Sequence, residues 1–309
     1  MAPTRRNLFK VAQWIFAAAV LFFAARSLAG QWNKVESRLT HVHFEWEWIL
    51  AATALILVAY TLLIEGWRRV LVAWASHLPF IDAARIWFLS NLGKYVPGNI
   101  WSLTTMSVMA RRRGLSGIAA AGSSVIMQTV SLATGTAIVM VTSAKLLGKP
   151  VLVGAAVILL VALLLSAPRF LPSLARWIAT LVGREVAPPS VPATSIWTAA
   201  IASAFSWLLY GVAFQLFVRG LLGAAPGEMS SYIAVYTAAY ILGFISPIAP
   251  AGLGVREFTL AAFMTQLGLA NEADAALVAL AARLWLTIVE LVPSGLYIAA
   301  GATRKSLPN

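Results

Sequence analysis

Four charged residues stand in stretches otherwise apolar enough to lie in a bilayer: Arg256, Glu257, Arg283 and Glu290. A charge at that depth is costly unless it faces a partner, a cavity or a ligand. Arg283, Thr287 and Glu290 share one helical face by their i, i+4, i+7 spacing. Two turns separate Arg283 from Glu290, too far to pair along the helix. The pair is expected to bracket something else, such as Glu257, Arg256 or a substrate. A static ion-pair network that fixes helix packing is the alternative for Glu257 and Glu290.

Two short, broken segments stand beside these charges. Tyr95-Val96-Pro97-Gly98 separates the arms 80–94 and 99–112, and Pro247-Ile248-Ala249-Pro250-Ala251-Gly252 separates 229–246 and 253–267. Asn99 can cap the helix leaving the first break, and Gly252-Leu253-Gly254 precedes the helix leaving the second. Helix N-termini present free N–H groups and a positive dipole end, which suits an anion. Lys94 and Arg256 add full positive charge beside them. The expected site is therefore an anion cradle, fitted to a phosphate headgroup, built from Lys94, Tyr95, Gly98, Asn99, Gly252, Gly254, Arg256, Glu257, Arg283 and Glu290. The plainer alternative is that the glycines only permit tight turns and close packing.

Other chemistry is not indicated. There is no cysteine, so disulfides, zinc thiolates, iron–sulfur clusters and cysteine nucleophiles are excluded. No GxxxxGK[ST], HExxH, GxSxG or Rossmann fingerprint occurs. His41 and His43 read as solvated loop residues, with no metal site. No cofactor and no catalytic residue are expected. A net charge of +12 could suit nucleic acid. The basic residues instead cluster in short loops, as cytoplasmic loops of membrane proteins do, so no nucleic acid is expected.

The elements that must position these residues are membrane helices. Hydrophobic residues make up 60% of the 309 positions and charged residues 11%, against about 25% charged in soluble domains. Mean hydropathy is +0.82. Backbone polar groups in lipid must be satisfied internally, so long apolar runs become helices. Spans are expected at 8–29, 47–73, 117–144, 150–167, 195–219 and 272–302, with Phe44, Trp46 and Trp48 as interfacial anchors. Ser27-Leu28-Ala29 resembles a signal-peptidase site, but a retained first helix is expected. Glu65 is read as a local partner of Arg68 and Arg69, and 169–184 as an amphipathic helix on the cytoplasmic leaflet.

Each arm of the broken segments is only about 21–23 Å long, short of the ~30 Å hydrocarbon core. They are either kinked spans or re-entrant hairpins. Hairpins put most Lys and Arg on the cytoplasmic side, whereas single spans export the Arg111-Arg112-Arg113 triplet. The positive-inside rule favours hairpins, with both termini cytoplasmic. One hairpin then enters from each side, each between two spans. The distance from Pro97 to Pro250 is one residue less than that from Gly114 to Gly268. The fold expected is an all-α polytopic membrane protein, one membrane domain over 1–309. It has about six full spans and two re-entrant helical hairpins. An inverted-topology repeat has units of about 47–144 and 195–302, the architecture of alternating-access carriers.

Asn91-Leu92-Gly93-Lys94-Tyr95-Val96-Pro97-Gly98-Asn99 resembles the K-[YF]-[IV]-P-G element of the lysylphosphatidylglycerol synthase transmembrane, flippase-like family. Pro250-Ala251-Gly252-Leu253-Gly254-Val255-Arg256-Glu257 resembles its P-G-G-x-G-x-R-E element, with Ala251 in place of a glycine. The resemblance covers about residues 10–302. It implies a domain that moves a lipid between leaflets of the cell inner membrane. The chain reads as a stand-alone member without the aminoacyl-transferase domain, so synthesis of an aminoacylated lipid is not implied. An anionic phospholipid or a polyprenyl-phosphate-linked carrier is the expected substrate. The rival expectation is a non-catalytic accessory subunit of a lipid- or glycan-modifying enzyme. The family's association with glycosyltransferases makes such an enzyme a candidate partner.

Overall fold

The computed structural model describes residues 44–74, 77–95, 100–143, 192–246 and 252–303, with parts of 151–169. Most of these residues are helical, and no strand occurs among them. Numbered from the first described helix, they form α1 (Trp46–Val72), α2 (Phe80–Asn91), a 3-10 turn (Leu92–Tyr95) and α3 (Ile100–Arg111). Then follow α4 (Gly117–Thr142), α5 (Ala193–Leu222), α6 (Met229–Ile245), α7 (Val255–Gln266) and α8 (Glu272–Thr303). A shorter apolar helix covers Val153–Ala162. The span expected at 150–167 is described in part, and its described helix over Val153–Ala162 falls short of a full crossing. The expected first helix at 8–29, nearly all of the 169–184 helix, His41 and His43 lie outside the described residues. So do the break residues 96–99 and 247–251.

Among the described residues, four helices are long and apolar enough to cross a membrane: Trp46–Val72, Ala119–Thr142, Ala193–Leu222 and Glu272–Ala299. The chain is a multi-pass membrane protein, all-helical in its regular structure among the described residues. Local chemistry sets the helix ends. Ser116 caps α4 by accepting from the Ala119 N–H at 3.3 Å. Asn271 caps α8 by accepting from the Asp274 N–H at 2.9 Å. Gly223, at φ +75°, closes α5 in the left-handed conformation. Glu65 pairs with Arg68 and Arg69 at 2.6 Å, the local cluster expected near the end of α1.

α5 lies at the centre and is more deeply buried than α4. It packs along α1, α4, α6 and α8. Without a hydrophobic difference between lipid and leucine, close packing of small residues drives such contacts. Gly211 lets α5 meet the Ile233 backbone of α6, and Gly66 lets α1 meet Ala199 and Ala202 of α5. The Ser206 hydroxyl donates to the Ala59 carbonyl at 3.1 Å, a buried bond from α5 to α1.

The helix contacts of the two halves match. α2 packs on α3 as α6 does on α7, and α3 on α4 as α7 does on α8. α1 meets α2 and α4 as α5 meets α6 and α8, and α4 reaches α6 as α8 reaches α2. α4 also packs on α5. The corresponding join of α8 to α1 is made by side chains, with Trp285 Nε1 donating to Thr53 Oγ1 at 2.9 Å.

α8 shows how the charged face is sorted. Leu284, Ile288, Leu291 and Val292 are exposed on its outer side. Ala282, Leu286 and Val289 are buried, and Arg283 and Glu290 point inward with them. Pro293 lies inside α8, where a missing N–H breaks the backbone ladder. Next to it the Ser294 hydroxyl donates to the Glu290 carbonyl at 2.8 Å and the Phe88 carbonyl at 3.2 Å, tying α8 to α2.

Candidate functional site

The first broken segment begins where α2 stops at Asn91 and tightens into the 3-10 turn carrying Lys94 and Tyr95. The sequence predicts helix through Lys94, and the tighter turn has a packing reason. A Cβ on Gly93 would lie 2.7 Å from the Ser102 backbone nitrogen, so the incoming arm rests directly on the start of α3. This contact aims Lys94 at α8. Its Nζ lies 2.6 Å from both Glu290 oxygens. The Tyr60 hydroxyl donates to Glu290 Oε1 at 2.8 Å, bringing α1 into the same junction.

The second segment is set by two left-handed glycines. Gly252 has φ +69° and Gly254 φ +83°, values that L side chains rarely adopt. A Cβ on Gly252 would lie 2.9 Å from the Gly243 carbonyl oxygen, and one on Gly243 would lie 3.0 Å from Arg256 Cβ. α6 and α7 therefore touch backbone to backbone at this point. The close approach places the Arg256 guanidinium between two tyrosines of α6. Its Cζ is 5.1 Å from each ring centre of Tyr236 and Tyr240. Its Nη2 donates to the Tyr236 hydroxyl at 2.9 Å. A cation over aromatic faces is stabilised without a counter-charge.

Glu257 turns back on its own helix. Its Oε2 accepts from the Gly254 N–H at 2.6 Å, the carboxylate half of a capping box. The sequence predicts open N–H groups at this N-terminus, whereas an internal carboxylate occupies the Gly254 N–H. Glu257 Oε1 is buried and lies 3.6 Å from Arg283 Nη1, beyond hydrogen-bond distance but within ion-pair range.

Arg283 and Glu290 stand two turns apart on α8, and each meets a different broken segment. Arg283 faces Glu257 of the second, one of its expected partners. Glu290 faces Lys94 of the first, a pairing the sequence did not indicate. Tyr95 ends the 3-10 turn. Gly98 and Asn99 lie outside the described residues.

Sequence reasoning does not single out Tyr60, Tyr210, Tyr236 or Tyr240. Tyr60 stacks edge-on to Tyr210 at 6.1 Å, and Tyr210 lies parallel to Tyr236 at 5.6 Å. They form a buried aromatic path from the Glu290 junction to the Arg256 cage. A signal was available: Tyr232, Tyr236 and Tyr240 recur every fourth residue, one face of one helix. Arg256 lies within electrostatic range of both Glu257 and Glu290, so the junctions form one cluster. A cleft of about 400 Å³ at Gln215, Arg219 and Gly223 is lined by none of these residues.

Comparison with known families matches residues 9–294 to the lysylphosphatidylglycerol synthase TM region. Comparison with curated proteins finds no match.

Proposed function

We propose that this chain, which belongs to the lysylphosphatidylglycerol synthase TM region family, is a carrier that moves an anionic or phosphate-bearing lipid between leaflets. One observation carries the reading: Lys94, Arg256, Glu257, Arg283 and Glu290 converge inside an otherwise apolar helix bundle. Intramembrane charges gathered on facing elements mark a substrate path by default.

In this reading the two helix pairs α2–α3 and α6–α7 are re-entrant hairpins, one from each side. The chain is an inverted-topology repeat in the cell inner membrane, with both termini cytoplasmic. The matched contacts of the two halves support the repeat, and the bias of Lys and Arg supports the orientation. Arg256 receives the phosphate, and the glycine-rich turn at Gly252 and Gly254 lets backbone approach it. Lys94 and Arg283 are held by carboxylates in this state and change partners as the headgroup passes. Rocking of one half against the other exposes the cluster alternately.

The test is leaflet exchange of labelled lipid in proteoliposomes, comparing phosphatidylglycerol with a polyprenyl phosphate, for the parent and Arg256→Ala. Exchange of one lipid by the parent, lost in a folded variant, is the expected result. Equal exchange by Arg256→Ala would remove the anion site from the reading. Absence of exchange by folded parent, with and without a proton gradient, would overturn the carrier.

A further inference from the structure

We infer that the central cluster selects a headgroup with a single negative charge, a phosphate diester, over phosphate monoesters and diphosphates. The inference rests on the carrier reading and deepens it.

The cluster holds three cations, Lys94, Arg256 and Arg283, and two carboxylates, Glu257 and Glu290. Lys94 is matched by Glu290 at 2.6 Å and Arg283 by Glu257 at 3.6 Å. Among the described residues, Arg256 has no carboxylate at ion-pair distance. One N–H of its guanidinium goes to Tyr236, and two neutral tyrosine faces flank it. No protein acceptor among the described residues meets its other N–H groups. The described cluster therefore carries one unmatched positive charge, at a defined place, in a donor fork.

A phosphate diester is the complement of that arrangement. It has two non-bridging oxygens sharing one charge, and a guanidinium grips such a pair bidentately. A monoester that has lost its second proton, or a diphosphate, brings further charge with no cation left to meet it. That excess would face Glu257 and Glu290, both within electrostatic range of Arg256. In a medium of low dielectric an unmatched charge is strongly disfavoured. The carboxylates thus act as built-in anions that exclude a second external one.

The experiment titrates the full chain in detergent with phosphatidylglycerol, a diester, and phosphatidic acid, a monoester, of identical acyl chains. Alkaline conditions keep the monoester doubly charged, and thermal stabilisation reports binding. The parent is expected to prefer the diester by at least about tenfold. Glu290→Gln removes one built-in anion, so the preference should narrow or reverse. Glu257→Gln provides the same test at the other junction should Glu290→Gln fold poorly. Equal affinity of the parent for the two lipids, or an unchanged preference in both folded variants, would overturn the inference. Dimethyl phosphate serves as a soluble arm. Binding as tight as the lipid diester, with the same charge preference, would support the charge rule and take the acyl chains out of it. Failure of the carrier reading shows separately, as absent leaflet exchange by folded parent.

Discussion

Lys94 Nζ sits 2.6 Å from Glu290 across 196 residues of sequence, and this bond joins the first broken segment to the last helix. Both side chains are mostly buried, at 29% and 14% exposure. Removing one partner of a buried pair leaves the other charge stranded, which costs more than the pair itself contributes. Lys94→Ala is expected to destabilise the protein by about 3 kcal/mol, the low end of the usual range, because the Tyr60 hydroxyl still serves Glu290. Lys94→Met combined with Glu290→Leu should recover most of that loss. Thermal unfolding in detergent, followed by tryptophan fluorescence, checks both. A double variant as unstable as the single would mean that the junction depends on something other than matched charge.

The same bond shows what the sequence conveys and what it withholds. Helix positions follow from apolar length and from breaks at proline and glycine, both local properties. Thus α1, α4, α5 and α8 lie within a few residues of where the sequence predicts them. The charges of the cluster are also legible, because Arg256, Glu257, Arg283 and Glu290 stand out against apolar neighbours. Pairing is not legible. Which cation meets Glu290 depends on Gly93 resting against Ser102 and on Ser294 bonding to Phe88, contacts made only once the helices pack. Tyr60 and Tyr210 pass unnoticed for the same reason, since a tyrosine in an apolar helix reads equally well as packing.

Arg256 is held by geometry that a lysine does not reproduce. A planar guanidinium can lie over two rings at 5.1 Å and still donate to Tyr236, whereas an ammonium is a strongly hydrated point charge. In the proteoliposome assay Arg256→Lys is expected to fall to roughly a tenth of parental exchange or below. Tyr236→Phe keeps the ring and loses one charge-assisted hydrogen bond, so a smaller loss of about fivefold to tenfold is expected. If Arg256→Lys matched the parent, positive charge alone would suffice and the aromatic cage would be packing.

Gly211 lies where the central helix meets α6. A Cβ there would overlap the Ile233 backbone, which cannot move aside as a flexible side-chain tip can. Gly211→Ala must push α6 outward, and α6 carries both tyrosines of the Arg256 cage. Overpacking of this kind costs about 1–3 kcal/mol. The variant should melt lower than the parent and lose affinity for the diester lipid by more than its stability change explains. A stability change without any change in binding would show that α6 moves as a rigid unit with α7.

Gly254 separates backbone strain from space. Its φ of +83° is forbidding to L residues, yet a Cβ there would meet nothing within 4 Å. Gly252 combines both problems, with φ +69° and the Gly243 carbonyl at 2.9 Å. Gly254→Ala should therefore cost only the strain, about 1–3 kcal/mol. Relief of that strain would rotate the Gly254 N–H away from Glu257 and loosen the start of α7, on which Arg256 is the second residue. Glu257→Gln, by contrast, leaves the φ unchanged and keeps a side-chain oxygen for the same N–H. Hydrogen exchange at the start of α7 distinguishes the two. Faster exchange is expected in Gly254→Ala and near-parental exchange in Glu257→Gln. If Glu257→Gln loosened α7 as much, the negative charge of Glu257, rather than the glycine conformation, would be what fixes the turn.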